Sequence, residues 1–361
     1  MSRTLVLPLV LLALAALCFS SSAMAQNTAY GKWVSDPAGL ATPGFVYDQP
    51  PAGFNPLTAS DVELEQYGFP PRPPQSDSAH YAAWKRAASA SRITPQLIPT
   101  NVYNGPAKNV KIGPGIPGVH NGTVFSANSQ NWSGYVLDGA NGSFTKNNSE
   151  MSEQWYVPHP TQAPIPPTCN GTWDYSFEWV GFDGWTSSDV LQAGTEADAN
   201  CTSTLYSFWY EWYPLAETRI SFAISAGDDV EVEVWYTTTS PYGHAQFFNA
   251  STAKATSVAF NPPSGTTYVG NSAEWVLERP TVSGALSDLA NVNDVFLDGY
   301  AYDGTTYYYP GSNPTNLNTY RVSMICPPWN PSSACPTTAT IAFADLYGTL
   351  TLYFGDGVPA Y

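Results

Sequence analysis

From about residue 131 to its end, the chain is a succession of short segments in which apolar and polar residues alternate. Gly, Asn, Asp, Pro and Ser separate these segments, and no long stretch has the 3.6-residue period of a helix. Alternation with a period of two is typical of strands, and turn residues between many short strands are typical of antiparallel sheets. This part is therefore predicted to be all-β, with two antiparallel sheets packed as a sandwich. The predicted strands are Trp132–Leu137, Met151–Val157, Tyr175–Phe182, Val190–Gly194, Leu205–Tyr213, Arg219–Ile224, Asp229–Tyr236, Thr256–Phe260, Glu274–Leu277, Asn293–Phe296, Tyr320–Ile325, Ile341–Ala344 and Leu350–Phe354.

Because side chains alternate across a strand, each strand can be sorted into two faces. The strand Leu205–Tyr213 has one almost entirely aromatic face, which we expect to lie between the sheets: Tyr206, Phe208, Tyr210 and Trp212. Its other face is mixed and favours a binding surface: Ser207, Trp209, Glu211 and Tyr213. The same sorting places Trp179 and Asp183 together on a second strand. Such polar and aromatic faces could line a cleft for an extended polymer, either a peptide or a glycan.

Two polar residues interrupt otherwise apolar strands. Gln192 shares a face with Val190 and Gly194, and Glu274 shares a face with Val276 and Glu278. Polar groups are costly to bury without partners, so an amide and a carboxyl in these positions indicate a polar cleft. Together they could hydrolyse a peptide bond.

The first residues predict a secreted protein, extracellular or periplasmic. Arg3 precedes an apolar run from Leu5 to Phe19, and Ala23-Met24-Ala25 is a small-residue cleavage pattern. Residues 1–25 are therefore predicted to be a signal peptide, and no later stretch is long and apolar enough for a membrane helix. We expect a monomer with no membrane partner.

Charge is distributed unevenly along the chain, whose net charge is −16. Residues 26–120 contain seven Lys/Arg and six Asp/Glu, whereas residues 121–361 contain five Lys/Arg and 23 Asp/Glu. In acid, the second part would carry little positive charge and would have few salt bridges to lose. This composition favours an acidic environment, although solubility alone would also explain it. It disfavours nucleic acid as a partner.

Residues 26–120 form a Pro-rich, partly helical segment ahead of the sandwich domain, residues 121–361. Ser60 and Glu63 form a capping-box pattern that predicts a short helix ending before Gly68. A second helix is predicted over about 77–90, with Tyr81, Trp84 and Ala88 on one face. The segment is too small to form a core alone. One hypothesis is a propeptide that inhibits the cleft until acid loosens it, and the alternative is a permanent extension.

Four cysteines remain after the signal peptide, an even number that predicts two disulfides in an oxidising compartment. The preferred pairings are Cys169 with Cys201 and Cys326 with Cys335. The sequence has no CxxC or HExxH spacing, so neither a metal site nor another cofactor is predicted.

Five ordered segments resemble the glutamic peptidases, or eqolisins: Asn131-Trp132-Ser133-Gly134-Tyr135-Val136, Trp179-Val180-Gly181-Phe182-Asp183-Gly184, Leu191-Gln192-Ala193-Gly194, Trp209-Tyr210-Glu211-Trp212-Tyr213-Pro214 and Ala273-Glu274-Trp275-Val276. The resemblance implies a concanavalin-like β-sandwich and a catalytic dyad of Gln192 and Glu274. It also implies a cleft-lining or supporting role for six residues: Trp132, Trp179, Asp183, Trp209, Glu211 and Tyr213. The acidic residue that the family has after Gln-x-Gly would be Glu196 or Asp198.

The resemblance implies an acid endopeptidase that acts on polypeptides and is insensitive to pepstatin. Two alternatives remain from the residues alone. Asp229, Glu231 and Glu233 alternate on one strand as the acids of some sandwich-fold glycosidases do, although they would also suit a sheet face in water. The other alternative is a lectin-like module that binds without turnover.

Overall fold

The computed structural model describes residues 30–104, 122–162, 171–292, 294–324, 339–344 and 349–354. The N-terminal part contains two helices and short strands: β1 (Gly31–Val34), β2 (Gly44–Tyr47), α1 (Asp61–Gln66), α2 (Ser78–Ala88), β3 (Ser91–Arg92), β4 (Leu97–Pro99) and β5 (Val102–Tyr103). Strands dominate the rest: β6 (Val124–Ser129), β7 (Trp132–Asp138), β8 (Ser149–Tyr156), β9 (Phe177–Phe182), β10 (Val190–Ala199), β11 (Thr204–Tyr213), β12 (Thr218–Ile220), β13 (Asp229–Tyr236), β14 (Gly243–Asn249), β15 (Lys254–Phe260), β16 (Ser272–Glu278), β17 (Thr281–Val282), β18 (Ala285–Leu286), β19 (Asp294–Tyr302), β20 (Tyr307–Tyr308), β21 (Asn318–Met324), β22 (Ala339–Ala344) and β23 (Thr349–Phe354).

The strands form two large layers. One layer has the order β6-β21-β7-β16-β9-β10-β11-β12-β4, and we call it the cleft sheet. The other has the order β23-β19-β8-β13-β14-β15-β2-β1, and we call it the outer sheet. Neighbouring strands are antiparallel except for the parallel pairs β6–β21 and β3–β15. The predicted all-β sandwich is confirmed.

The main core lies between these sheets and is built from the faces that alternation predicted. Phe208, Tyr210 and Trp212 of the cleft sheet and Val232 and Phe247 of the outer sheet belong to one buried cluster. The opposite face of the cleft sheet carries a second apolar cluster that includes Trp132, Trp179, Val190, Trp209 and Val276. Gln192 and Glu274 are on this second face, because each lies two residues from a member of that cluster.

The strand predictions differ from the structure mainly at the ends. The strand that carries Gln192 continues to Ala199, whereas the predicted strand Arg219–Ile224 ends at Ile220. The strand β14 was not predicted, because Gly243-His244-Ala245-Gln246 lacks the β-branched residues that signal a strand. It is central in the outer sheet, paired with both β13 and β15.

Both predicted helices are present. Ser60 Oγ accepts a hydrogen bond from the Glu63 N–H, and the Glu63 carboxylate accepts one from the Ser60 N–H, which is a complete capping box. Helix α2 begins after Asp77, whose side chain caps it. Trp84 and Ala88 of α2 pack with Leu64 and Phe69 in a small apolar cluster.

The N-terminal segment also packs on the outer sheet. Strand β2 extends that sheet beside β15, and Arg86 of α2 lies 3.0 Å from a carboxylate oxygen of Glu231. Glu231 and Glu233 are therefore only 6% and 4% exposed, so the expectation of a sheet face in water was wrong. On the other face of β13, Val230, Val232 and Val234 pack in the core between the sheets.

The domain boundaries at residues 25 and 120 and the disulfides stay predictions. Cys169, Cys326 and Cys335 lie outside the described residues, as does the predicted signal peptide. Among the residues that are described, no helix is long and apolar enough to cross a membrane.

Candidate active site

Gln192 and Glu274 face each other across one strand. Gly181 of β9 is the register partner of Gln192 on one side and of Glu274 on the other. Residues paired directly across a sheet project from the same face, and strands two positions apart are about 9–10 Å apart. Two long side chains at that separation can meet over the glycine between them.

Gly181 is required by this arrangement. A Cβ atom at this position would lie 2.7 Å from the Leu191 carbonyl oxygen and 2.9 Å from the Gln192 Cβ atom. Any side chain would therefore displace β10 and would also fill the gap between the amide and the carboxyl. The glycine keeps the floor of the site open.

The Gln192 side-chain amide is completely buried, and its nitrogen and oxygen atoms differ in their hydrogen bonding. Its Nε2 atom donates to the backbone carbonyl oxygen of Asn104 and, at 3.3 Å, to Glu211 Oε2. Its Oε1 atom has no hydrogen-bond partner among the described residues. The amide can thus donate to one group and accept from another at the same time.

Glu211 lies beside Gln192 on β11. Its Oε2 atom also accepts a hydrogen bond of 2.8 Å from the Asn104 N–H. Burial raises the pKa of the Glu211 carboxyl well above its usual range, and the nearby Glu217 and Glu278 raise it further. Glu211 is consequently uncharged in acid.

Glu274 is held between apolar neighbours. Ala273 and Trp275 point into the core between the sheets, and Val276 packs on the cleft face. Glu274 itself is completely buried. A carboxyl in these surroundings can exchange a proton with a bound reactant without competition from bulk water.

Aromatic side chains form the wall of the site. Trp132 and Trp179 meet edge to face with their ring centroids 5.1 Å apart, and Trp209 lies 5.3 Å from the ring of Phe177. The Trp179 Nε1–H donates to Glu278 at 2.9 Å. Tyr213, at the end of β11, is partly buried against the same cluster. These predicted lining residues therefore lie on the same face as Gln192 and Glu274.

Comparison with known proteins shows the family of this chain. The sequence matches the Peptidase A4 family over residues 130–321, which contains all five segments with the family resemblance. The chain belongs to this family, the glutamic peptidases. It is therefore a glutamic endopeptidase.

Three solved eqolisin structures are similar to this peptidase. Scytalido-glutamic peptidase with a transition-state analogue inhibitor is 21% identical to this chain, with a TM-score of 0.49. The match covers 63% of this chain and 98% of the scytalido-glutamic peptidase chain. The eqolisin SCP-B with the tripeptide Ala-Ile-His is 19% identical over 63% of this chain and 98% of its own, with a TM-score of 0.42. Aspergilloglutamic peptidase from Aspergillus niger is 22% identical over 50% of this chain and 99% of its own, with a TM-score of 0.42. No curated protein sequence gave a significant match.

Asp183 of the peptidase supports a turn instead of facing the dyad. It follows β9 with a φ of 70°. Its carboxylate accepts hydrogen bonds from the N–H groups of Val269, Gly270 and Asn271, at 2.8, 2.9 and 2.8 Å. This turn leads into β16, so Asp183 fixes the start of the strand that carries Glu274.

Glu196 and Asp198, the two candidates for the acidic residue after Gln-x-Gly, surround Arg219. An Arg219 Nη2–H donates to Glu196 Oε2 at 2.6 Å, and Asp198 lies 3.9 Å from the same nitrogen. Glu217 joins them, with Oε1 3.0 Å from Arg219 Nε. Burial raises the pKa of each of these three carboxyls, and Arg219 opposes the shift.

Sequence reasoning missed Asn104 and Glu217. Asn104 is completely buried. Its backbone forms hydrogen bonds with the Gln192 and Glu211 side chains, and its side-chain Nδ2 lies 3.3 Å from Glu217 Oε2. It lies in a Pro-rich segment without a period, and its partners are 88 to 113 residues away in sequence. The sequence contained no local signal for such a contact.

Proposed function

We propose that this glutamic peptidase is a secreted acid endopeptidase in which Gln192 and Glu274 activate a water molecule. The observation that carries the proposal is the shared partner Gly181, which brings both side chains to the same face over an open floor. The predicted signal peptide is the basis for secretion.

The reaction follows from what each side chain can do. The Glu274 carboxylate takes a proton from water as the water oxygen attacks the peptide carbonyl carbon. Gln192 Oε1 orients that water, and Nε2 donates to the oxyanion that develops on the carbonyl oxygen. Glu274 then transfers its proton to the leaving amine. This reaction needs neither a covalent intermediate nor a cofactor.

The protonation of two other buried carboxyls near Gln192 favours activity at acidic pH. Burial raises the pKa of Glu211 and of Glu217, so both are neutral in acid. As the pH rises, additional negative charge would have to be accommodated around the Gln192 amide. Activity should therefore be lost toward neutral pH.

The N-terminal segment is proposed to act as an inhibitor in the uncleaved chain. The Asn104 carbonyl accepts the hydrogen bond that Gln192 Nε2 would give to a substrate, so the two compete for one donor. Polypeptides are the proposed substrates of the monomeric enzyme once this segment leaves. N-terminal sequencing checks the idea, because a fully active protein that begins near Gln26 would contradict it.

Digestion of a denatured protein from about pH 3 to about pH 7, with and without pepstatin, tests the proposed function. Peptides should appear in acid, pepstatin should not reduce them, and the Glu274→Gln variant should release none. A β-glucan should stay intact. Release of sugars without peptides would favour a glycosidase, and binding without turnover would favour a lectin-like module.

A further inference from the structure

We propose that Glu278 is a positioning residue of this peptidase, which holds the indole ring of Trp179 in place as a wall of the substrate cleft. The proposal rests on the proposed function, because it takes the face that carries Gln192 and Glu274 as the one that binds the peptide. It adds the group that sets the shape of this face beside the dyad.

Glu278 lies on the same face of β16 as Glu274, four residues further along the strand. Its register partners are Trp132 on β7 and Phe177 on β9. Trp179 is the register partner of Val276, the residue midway between the two glutamates. Along the strand, the Trp179 ring therefore has the Glu274 level on one side and the Glu278 level on the other.

Both carboxyl oxygens of Glu278 accept hydrogen bonds. Oε2 accepts from the Trp179 Nε1–H at 2.9 Å, and Oε1 accepts from Asn131 Nδ2 at 2.8 Å. Asn131 lies between β6 and β7, where its Oδ1 atom accepts from Ser129 Oγ at 3.1 Å and its carbonyl oxygen accepts from the Arg279 N–H at 3.1 Å. The Glu278 carboxyl is thus held in one orientation and can hold the indole in turn.

The orientation of the Trp179 ring depends on few other contacts. The Trp132 ring packs against it edge to face, with centroids 5.1 Å apart and planes at 78°. On β10 the register partner of Trp179 is Gly194, where a Cβ atom would lie 2.7 Å from the Trp179 Cβ. Glycine has no side chain to support the ring from that strand. The bond to Glu278 is therefore the contact that fixes the rotation of the ring.

Packing alone does not explain a buried carboxyl at this position. Trp132, Trp209 and Trp275 are at most 2% exposed, yet their Nε1 atoms have no hydrogen-bond partner among the described residues. A tryptophan can thus be buried in this sandwich without a carboxyl beside it. Burying a carboxyl is costly. Its placement at Trp179, on the face of the dyad, favours a role in the site.

The expected effect is on substrate binding. A wall that is fixed before the peptide arrives binds it without the entropic cost of ordering a side chain. Contacts with parts of the peptide that do not react contribute equally to the ground state and the transition state, so their loss raises KM and leaves kcat nearly unchanged.

Steady-state kinetics in acid with a fluorogenic peptide test the proposal. Glu278→Met has a side chain of similar length but no acceptor, so KM should rise about 5- to 10-fold, the effect of one hydrogen bond, with kcat within about 2-fold of the wild type. Glu278→Gln retains one oxygen that can accept from the Trp179 N–H, and KM should stay within about 2-fold. Circular dichroism shows whether each variant is folded.

A double-mutant cycle separates positioning of Trp179 from a general effect on the fold. Trp179→Phe removes the N–H that Glu278 holds, so Glu278→Met should not raise KM further in that background. Equal increases in the two backgrounds would overturn the proposal, as would a lower kcat at unchanged KM. If Glu278→Met does not fold, Asn131→Ala replaces it. That variant frees one carboxyl oxygen of Glu278, and it should raise KM about 3-fold with Trp179 present and not with phenylalanine.

Digestion of a denatured protein by the wild type is measured in parallel. If the wild type digests it and the Glu278 variants behave otherwise than stated, the positioning role is wrong and the proposed function stands. If the wild type digests nothing, both fail.

Discussion

The carboxyl of Glu178 should make this enzyme less stable at neutral pH than in acid. Glu178 is completely buried between the sheets and accepts hydrogen bonds from Ser176 Oγ at 2.6 Å and Thr195 Oγ1 at 3.0 Å. Burial raises its pKa to about 7, against the opposing effect of those hydrogen bonds.

The sign and the size follow from linkage between protonation and folding. An unfolded glutamate has a pKa of about 4.3, so the folded state binds the proton more tightly. The contribution to the free energy of unfolding is complete below about pH 4 and is lost as the pH rises toward about 7. At about 1.36 kcal/mol for each pH unit between the two pKa values, the loss is about 3–4 kcal/mol.

Glu178→Gln should remove this loss, because the amide has nearly the same shape and does not ionise. The assay is urea unfolding at several pH values, in a Glu274→Gln background that prevents self-digestion. Asp48→Asn, which changes an exposed carboxyl, is the control. A free energy of unfolding of Glu178→Gln that declined with pH as steeply as that of its parent would contradict this role of Glu178.

Three further substitutions test the supports of the site. Gly181→Ala should lower turnover about 100-fold in a folded protein, because its Cβ would lie 2.9 Å from the Gln192 Cβ atom; steady-state kinetics and circular dichroism check this. Asp183→Asn should lower the free energy of unfolding by about 1–3 kcal/mol, because one backbone N–H that donates to the carboxylate would instead face the asparagine NH₂ group, which is also a donor. Thermal unfolding in acid measures this loss. Arg86→Met should weaken docking of α2 by about 2 kcal/mol near neutral pH and much less in acid, where Glu231 is protonated in both proteins. Equal protease sensitivity of α2 in variant and parent near neutral pH would contradict that prediction.

The local features of the fold could be predicted from the sequence because they depend on period and capping. The alternation around Trp212 correctly assigned this side chain to the core between the sheets. The Ser60 capping box correctly gave the start of α1. Each of these signals lies within a few residues and does not depend on the rest of the chain.

The contacts between the N-terminal segment and the sandwich could not be predicted in this way. Glu231 is charged and alternates with valines, so its sequence pattern is the same whether water or α2 lies above it. Asn104 reaches Gln192 only because β4 and β5 pair with strands far along the chain. Such pairings are set by tertiary packing, which leaves no period in a short Pro-rich segment.

The central claim is that Gln192 and Glu274 act on one water. The most direct test is the turnover number of Gln192→Ala, Glu274→Gln and the double variant in acid, with each protein shown to be folded. Removing the amide donor should lower turnover about 10²- to 10³-fold, and removing the base should cost at least as much. Since both residues serve one step, the double variant should be little worse than Glu274→Gln. Near wild-type turnover in either folded single variant would contradict the claim.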